Sequence, residues 1–216
     1  MPHGGKRCLT VASVVQVFYI SVMKELLFAA LMALFAFVPA SAADQSAPVV
    51  VIGKADAPIT IDDYASLGCP HCANFQLTTL PQIKKVYIDT GKVKFIFHHF
   101  PLDKASVDAA LLVQCVSPLQ AEQTINLLYR EQANWARDEK YDDRLVGYGA
   151  MLGISETTAR ACLNDTKMRD AILQGRVDAN TKFQINATPT FVFNGGTARL
   201  EGDQSFDQMA AVINKM

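Results

Sequence analysis

The sequence predicts an α/β domain in which a βαβ half and a ββα half are separated by a helical insertion. Three observations predict it. The runs "APVVVIG" (47–53), "PITIDDYAS" (58–66) and "KVKFIFHHF" (92–100) are short and rich in β-branched and aromatic residues, and a helical period lies between the last two. Residues 101–183 then carry several helical patterns and no strand. Strand patterns return in "TPTFVF" and "TARLEG" before one last helix. An interrupted order of this kind belongs to one domain, not to two in tandem.

Each element has a local reason. Ahead of the first strand, "MKELLFAALMALFAFVPASAADQ" begins at Met23 with Lys24, continues through thirteen apolar residues at 26–38, and reaches the small residues Ala40-Ser41-Ala42. That is the order of a secretory signal peptide. The apolar run falls short of the roughly 20 residues that a membrane span needs. Lys24 and Glu25 separate it from a second apolar stretch, "CLTVASVVQVFYISV", so Met23 is the expected start. Residues 1–42 are then leader and extension, and 43–216 a single domain with its insertion at about 101–183.

The second strand leads directly into "GCPHCANF". The helix that follows presents Phe75, Leu80, Ile83 and Val86 on one face and ends with Gly91 at its C′ position. Pro81 inside this pattern predicts a kink, because the period resumes beyond it. In the insertion, "ASVDAALLVQCV" and "AEQTINLLYREQANW" are helical, the second with Ala121, Ile125 and Leu128 together. Residues 167–183 repeat Met168, Ile172, Gly175, Ala179 and Phe183 at the same period. Trp135 is expected in the core. Asn194-Gly195 predicts a hairpin turn. The last helix starts at Ser205, with Gln208 completing a capping box and Phe206, Met209 and Ile213 facing inward.

Half of the 216 residues are apolar, enough for one sizeable core. The 20 basic and 21 acidic side chains become 17 and 20, net -3, once Lys6, Arg7, Lys24 and Glu25 are cleaved away. No basic patch stands out, which argues against nucleic acid or anionic lipid as a partner. Cleavage also removes Cys8, leaving Cys69, Cys72, Cys115 and Cys162. An even number in an exported chain reads as disulfide chemistry.

Cys69 and Cys72, two residues apart, admit several chemistries. Haem attachment needs a histidine directly after the second cysteine, and Ala73 stands there. Zinc needs four ligands, usually as two close pairs, whereas Cys115 and Cys162 are far from this pair and from each other. A structural disulfide across so short a loop is strained. No metal and no other cofactor is therefore expected. Redox exchange fits best. Cys69 at a helix N-terminus gains from the unpaired N–H groups there, with Pro70 opening the helix and His71 adding a donor and, when protonated, a charge. A stabilised Cys69 thiolate favours the reduced state and makes the disulfide a stronger oxidant. Cys69 is the expected attacker and Cys72, a turn deeper, the resolving thiol.

At this point the sequence resembles a known family. "YASLGCPHCANF", "YIDTGKVKFIFHHFPLD" and "ATPTFVFNG" are similar to the DsbA-like thiol–disulfide oxidoreductases, and the resemblance runs from about Val49 to the C-terminus. It implies a thioredoxin-like fold and a cis Thr188–Pro189 bond set against the cysteine pair, with the Thr188 backbone free to bind an extended substrate. It also implies that Asp63 is a buried acid serving Cys72. Asp62 faces the other way and receives no role. His98 and His99 point to opposite faces of a strand and are read as surface or packing residues. Cys115 and Cys162 can be free thiols or a pair; an oxidising compartment favours the pair, and some family members carry a second disulfide in this region.

The expected activity is oxidation of reduced, unfolded secreted proteins in the periplasm, with reoxidation by a DsbB-type membrane quinone-linked oxidase. The alternatives are a disulfide isomerase or reductase of the same fold, or a thiol-based metal-sequestering module. The short stretch between cleavage site and first strand leaves no room for the isomerases' dimerisation domain, so a monomer is expected.

Overall fold

The structure, a computed structural model, describes residues 47–216. The signal peptide, the cleavage site and the start at Met23 lie outside the described residues. Five strands, β1 (Val49–Ile52), β2 (Ile59–Ala65), β3 (Val93–His99), β4 (Thr190–Phe193) and β5 (Ala198–Glu201), form one sheet in the order β1-β3-β2-β4-β5. β2 and β3 run parallel; every other pairing is antiparallel. β2 lies at the centre, and Ile59, Ile61, Asp63, Tyr64 and Ala65 along it are buried. The chain therefore leaves the middle of the sheet into the cysteine motif.

The crossover from β2 to β3 is α1, residues 70–88. It is not a uniform α-helix. Two α-helical pieces, Pro70–Asn74 and Leu80–Ile83, alternate with π-helical turns at Phe75–Thr79 and Lys84–Ile88. Pro81 stands two residues beyond the first π turn, next to Leu80, whose N–H bonds to the Phe75 carbonyl. A proline ring crowds the carbonyl four residues back, and a widened turn relieves that crowding. Each π turn also inserts a residue and rotates the apolar stripe. Val86, expected inside, is 45% exposed, while Tyr87 and Ile88 are buried in its place. The helix ends as expected at Gly91, whose φ of 81° accompanies two bonds, Gly91 N–H to Ile88 O and Lys92 N–H to Tyr87 O. That is a Schellman termination with glycine at C′.

Six helices make up the insertion: α2 (Lys104–Cys115), α3 (Pro118–Arg130), α4 (Gln132–Trp135), α5 (Tyr141–Met151), α6 (Glu156–Leu163) and α7 (Thr166–Phe183). Side chains cap three of them: Asp103 accepts from Ser106 N–H, Ser155 from Thr158 N–H and Asp165 from Met168 N–H. Trp135 is fully buried, and its Nε1–H donates to Leu128 O at 2.8 Å. Cys115 at the end of α2 is bonded to Cys162 in α6, with Cα atoms 6.0 Å apart. Asp108 in α2 is held by Lys104, Tyr141 and Arg169, so α2, α5 and α7 meet on one buried carboxylate.

The β4–β5 hairpin differs from the two-residue turn that Asn194-Gly195 suggests. Residues 194–197 form a four-residue loop with positive φ at Asn194, Gly195 and Gly196. The cause is a tertiary contact. Asn194 Oδ1 accepts from Thr60 N–H at 2.8 Å, drawing the loop back onto β2. The closing helix α8 (Phe206–Ile213) carries the full Ser205–Gln208 capping box and buries Met209 and Ile213.

One face of the sheet carries two apolar clusters: α1 and α8 cover Phe95, Phe191 and Phe193, and further along the same face the insertion covers Ala65 and Phe97. On the opposite face Tyr64 and Val192 pack with Ala179 and Phe183 of α7. Cys69 and Cys72 belong to the insertion's cluster. The helical block is the roof over the cysteine pair.

Candidate active site

Cys69 is the N-cap of α1, with extended backbone (φ −85°, ψ 121°), and Pro70 occupies N1. Proline suits that place because its missing N–H would find no partner in the first turn. Cys69 is 7% exposed and Cys72 2%, and both are free thiols. The Cys69 thiol donates to Thr188 O at 3.4 Å, and the Thr188–Pro189 bond is cis. Cys69, Cys72, Thr188 and Pro189, separated by more than a hundred residues in the chain, therefore share one site.

The two sulfurs are driven apart in acidity. Cys69 falls from its ordinary 9.0 to about 5, through a hydrogen bond from the Cys72 thiol above all. Burial opposes the fall; Thr188 and the backbone N–H groups of Cys72 and His71 assist it. The Thr188 hydroxyl oxygen is buried without a hydrogen-bond partner among the described residues, so its proton is available to a thiolate. Cys72 moves strongly upward, because burial penalises its charge and Cys69 and Asp63 lie close. The His71 side chain is exposed, and its bearing on Cys69 comes from the backbone N–H.

Asp63 is 2% exposed, and its Oδ1 has no hydrogen-bond partner among the described residues. Burial, reinforced by Cys69, raises its carboxyl well above the ordinary range. Burial thus favours its protonated form beside the cysteines. Asp62 does have a partner: Oδ1 lies 2.7 Å from His98 Nε2, and the His98 ring stacks on Tyr64 with centroids 4.6 Å apart. His99 on the opposite face is buried against Phe97, and Gln114 Nε2 lies 2.8 Å from its Nε2. Cys115 and Cys162 stand apart from this site as a pair of their own.

Several contributors carry no sequence signal. Gln132 Nε2 donates to the carbonyls of Leu67 and Cys69 at 2.6 and 3.1 Å. The buried Tyr129 hydroxyl donates to Ser66 O at 3.2 Å. Ser106 Oγ accepts from Ser66 Oγ and lies only 2.5 Å from where a Cβ at Gly68 would sit, so a side chain at the motif's leading glycine would have to displace the Ser106 hydroxyl. Beside the motif a cavity of about 330 Å³ opens between Gly68, Pro70, Gln132, Ala133, Ala136 and Arg137.

Comparison with known proteins agrees with this geometry. Residues 45–215 match a family model described as thioredoxin. The chain belongs to the thioredoxin superfamily, in its DsbA-like branch. The crystal structure of alpha-DsbA1 from Wolbachia pipientis superposes with a TM-score of 0.72 at 30% identity, covering 77% of this chain and 89% of that one. A Rickettsia felis protein, provisionally named protein-disulfide oxidoreductase, is 31% identical over 172 residues, 77% of this chain and 59% of the relative. A Bacillus cereus protein, provisionally named disulfide bond formation protein D, is 42% identical over 76% of each chain. The chain thus spans about 59% of the length of its Rickettsia relative. The DsbA-like fold accounts for the insertion's position over the cysteine pair.

Proposed function

We propose that the protein is an exported thiol–disulfide oxidoreductase that donates its Cys69–Cys72 disulfide to reduced cysteines of folding secreted proteins. The observation that carries this reading is the placement of two free thiols at the start of α1, with the Cys69 sulfur 3.4 Å from Thr188 O beside the cis Thr188–Pro189 bond. The arrangement lowers the pKa of Cys69 and raises that of Cys72. The relatives' names and the alpha-DsbA1 likeness support it.

In the oxidised protein a substrate thiolate attacks the Cys69 sulfur. The Cys69–Cys72 bond breaks, and Cys72 leaves with the electron pair and takes a proton from Asp63, the neutral acid beside it. The substrate is then joined to Cys69 by a mixed disulfide, its backbone lying along Thr188 and its flanking side chains entering the cavity beside Pro70. A second substrate thiolate attacks the substrate's own sulfur, and Cys69 leaves as a thiolate. Two electrons have passed from substrate to protein. An acidic Cys69 is a good leaving group, so release of oxidised substrate is favoured.

Reoxidation by a DsbB-type membrane quinone-linked oxidase, periplasmic location after cleavage at residue 42, and a monomeric state complete the proposal. The test is oxidative refolding of a reduced, unfolded protein with catalytic amounts of the oxidised chain, run beside insulin reduction. Refolding with weak insulin reduction is expected. Ready insulin reduction without oxidation would assign the protein to the reductases or isomerases instead, and a stable dimer in sedimentation would strengthen that assignment.

A further inference from the structure

We propose that Gln132, a residue of the helical insertion, is a positioning residue for the redox pair: its side-chain amide holds the backbone that carries Cys69 and so sets how firmly the Cys69 thiolate is stabilised. The proposal rests on the oxidoreductase reading, since it names a control on the chemistry of that site.

Residues 66–69 turn the chain from β2 into α1, and a turn of this kind leaves carbonyls that need donors. Ser66 O accepts from Cys69 N–H at 3.0 Å and from the Tyr129 hydroxyl at 3.2 Å. Leu67 O and Cys69 O converge on one atom, Gln132 Nε2, at 2.6 and 3.1 Å. A side-chain amide nitrogen carries two hydrogens, so a single NH2 group serves both carbonyls. It does so only while the loop keeps them converged. Cys69 O accepts in addition from Ala73 N–H at 3.1 Å, the bond that starts α1.

The donors stand on well-anchored supports. Tyr129 is next to Leu128 in α3, and Gln132 opens α4, which ends at Trp135; Leu128 and Trp135 are fully buried and joined by a hydrogen bond. The loop is thus gripped from the insertion, not from the sheet. Two consequences follow for Cys69. Its sulfur is two bonds from the Cα of the gripped backbone, with one torsion between, so its reach to Thr188 and to the N–H groups of α1 depends on that grip. A donor on the Cys69 carbonyl also offsets the negative end of that dipole beside the thiolate. The charged thiolate feels this and the uncharged disulfide does not, so the grip bears on the equilibrium between reduced and oxidised protein.

The test compares wild type with Gln132→Met, which keeps the length and packing of the side chain without its donor, and Gln132→Ala. Three quantities are read: the pH midpoint of Cys69 thiolate absorbance, the oxidation equilibrium against glutathione, and the thermal midpoint of the oxidised protein. Both variants are expected to raise the Cys69 midpoint by about half a unit and to weaken oxidation of glutathione about threefold, with the thermal midpoint little changed. An acidic wild-type Cys69 together with an unchanged Gln132→Met overturns the role of Gln132 and leaves the function standing. A shift in Gln132→Ala alone assigns the effect to packing and also overturns it. A wild-type Cys69 that titrates like free cysteine removes the oxidoreductase reading, and the proposal with it.

Discussion

Asp63 shows how one side chain can serve chemistry against stability. Its carboxyl is buried on the central strand with an oxygen unpartnered among the described residues, and burial raises its pKa, favouring the protonated form beside two sulfurs. A carboxylic acid that is neutral when folded but ionised when unfolded favours folding only below the unfolded value; the contribution is lost as pH rises above that value toward the folded pKa. Asp63→Asn is therefore expected to melt at a higher temperature than wild type at pH 7, with the gap closing as pH falls toward 3.8, the ordinary value for the group. In the proposed mechanism the same variant lacks the proton donor for Cys72. Cleavage of the Cys69–Cys72 disulfide by substrate thiol, followed by stopped-flow, should slow on the order of a hundredfold at neutral pH. A faster or unchanged rate would leave Asp63 with no catalytic role. Asp63 was legible only through the resemblance, because a strand pattern states which face a residue takes and not what waits there. Gln132 and Tyr129 had no such guide. Their partners are loop carbonyls more than sixty residues away, and no period or spacing encodes a contact of that reach.

At the scale of elements the strand patterns and the helical insertion were legible in the sequence, each strand within a residue or two, because period-2 alternation and β-branched runs are local. The apolar stripe of α1 was only half legible. A period of 3.6 residues places Val86 inside, whereas the π turns carry Tyr87 and Ile88 there. Truncations separate the two arrangements. Ile88→Ala should cost about 2 to 5 kcal/mol in denaturant unfolding and Val86→Ala less than about 0.5. The reverse order would restore the regular helix. The Asn194 loop fails the local rule for a like reason, its side chain being recruited by Thr60 N–H across the sheet. The Cys115–Cys162 bond joins α2 to α6 across 47 residues, and replacing both cysteines by serine should cost about 4 kcal/mol on the chain-entropy estimate. Thiolate titration of that double variant should leave Cys69 acidic, since the bond lies outside the redox site. A Cys69 midpoint that rose with it would mean that the insertion transmits the change.

For the whole molecule, pH offers a reading of the redox pair that needs no substrate. His99 is buried, and burial with His98 nearby lowers its pKa to about 3. It is neutral when folded and protonated when unfolded, so its contribution to stability is lost as pH falls below its ordinary 6.5. Asp63 acts in the opposite sense over an overlapping range. Both operate in the oxidised and the reduced protein, Asp63 chiefly through burial and with a smaller added shift from Cys69 in the reduced form. The difference in stability between the two forms therefore removes most of their effect. What remains is the cysteines, which titrate only when reduced. Cys69 has a folded value of about 5 against an ordinary 9.0, so its contribution is present above the unfolded value and is lost as pH falls through 5. Between about pH 5 and 9.0, where an unfolded cysteine ionises, the stability of reduced over oxidised protein should climb by up to about 1.4 kcal/mol per pH unit. Above that range Cys72 takes over with the opposite sign, because its folded form stays protonated while its unfolded form ionises. The difference curve is expected to rise, turn near pH 9.0 and fall. Denaturant unfolding of both forms from pH 4 to 10 measures it, and a flat curve would mean that the fold does not distinguish its two sulfurs.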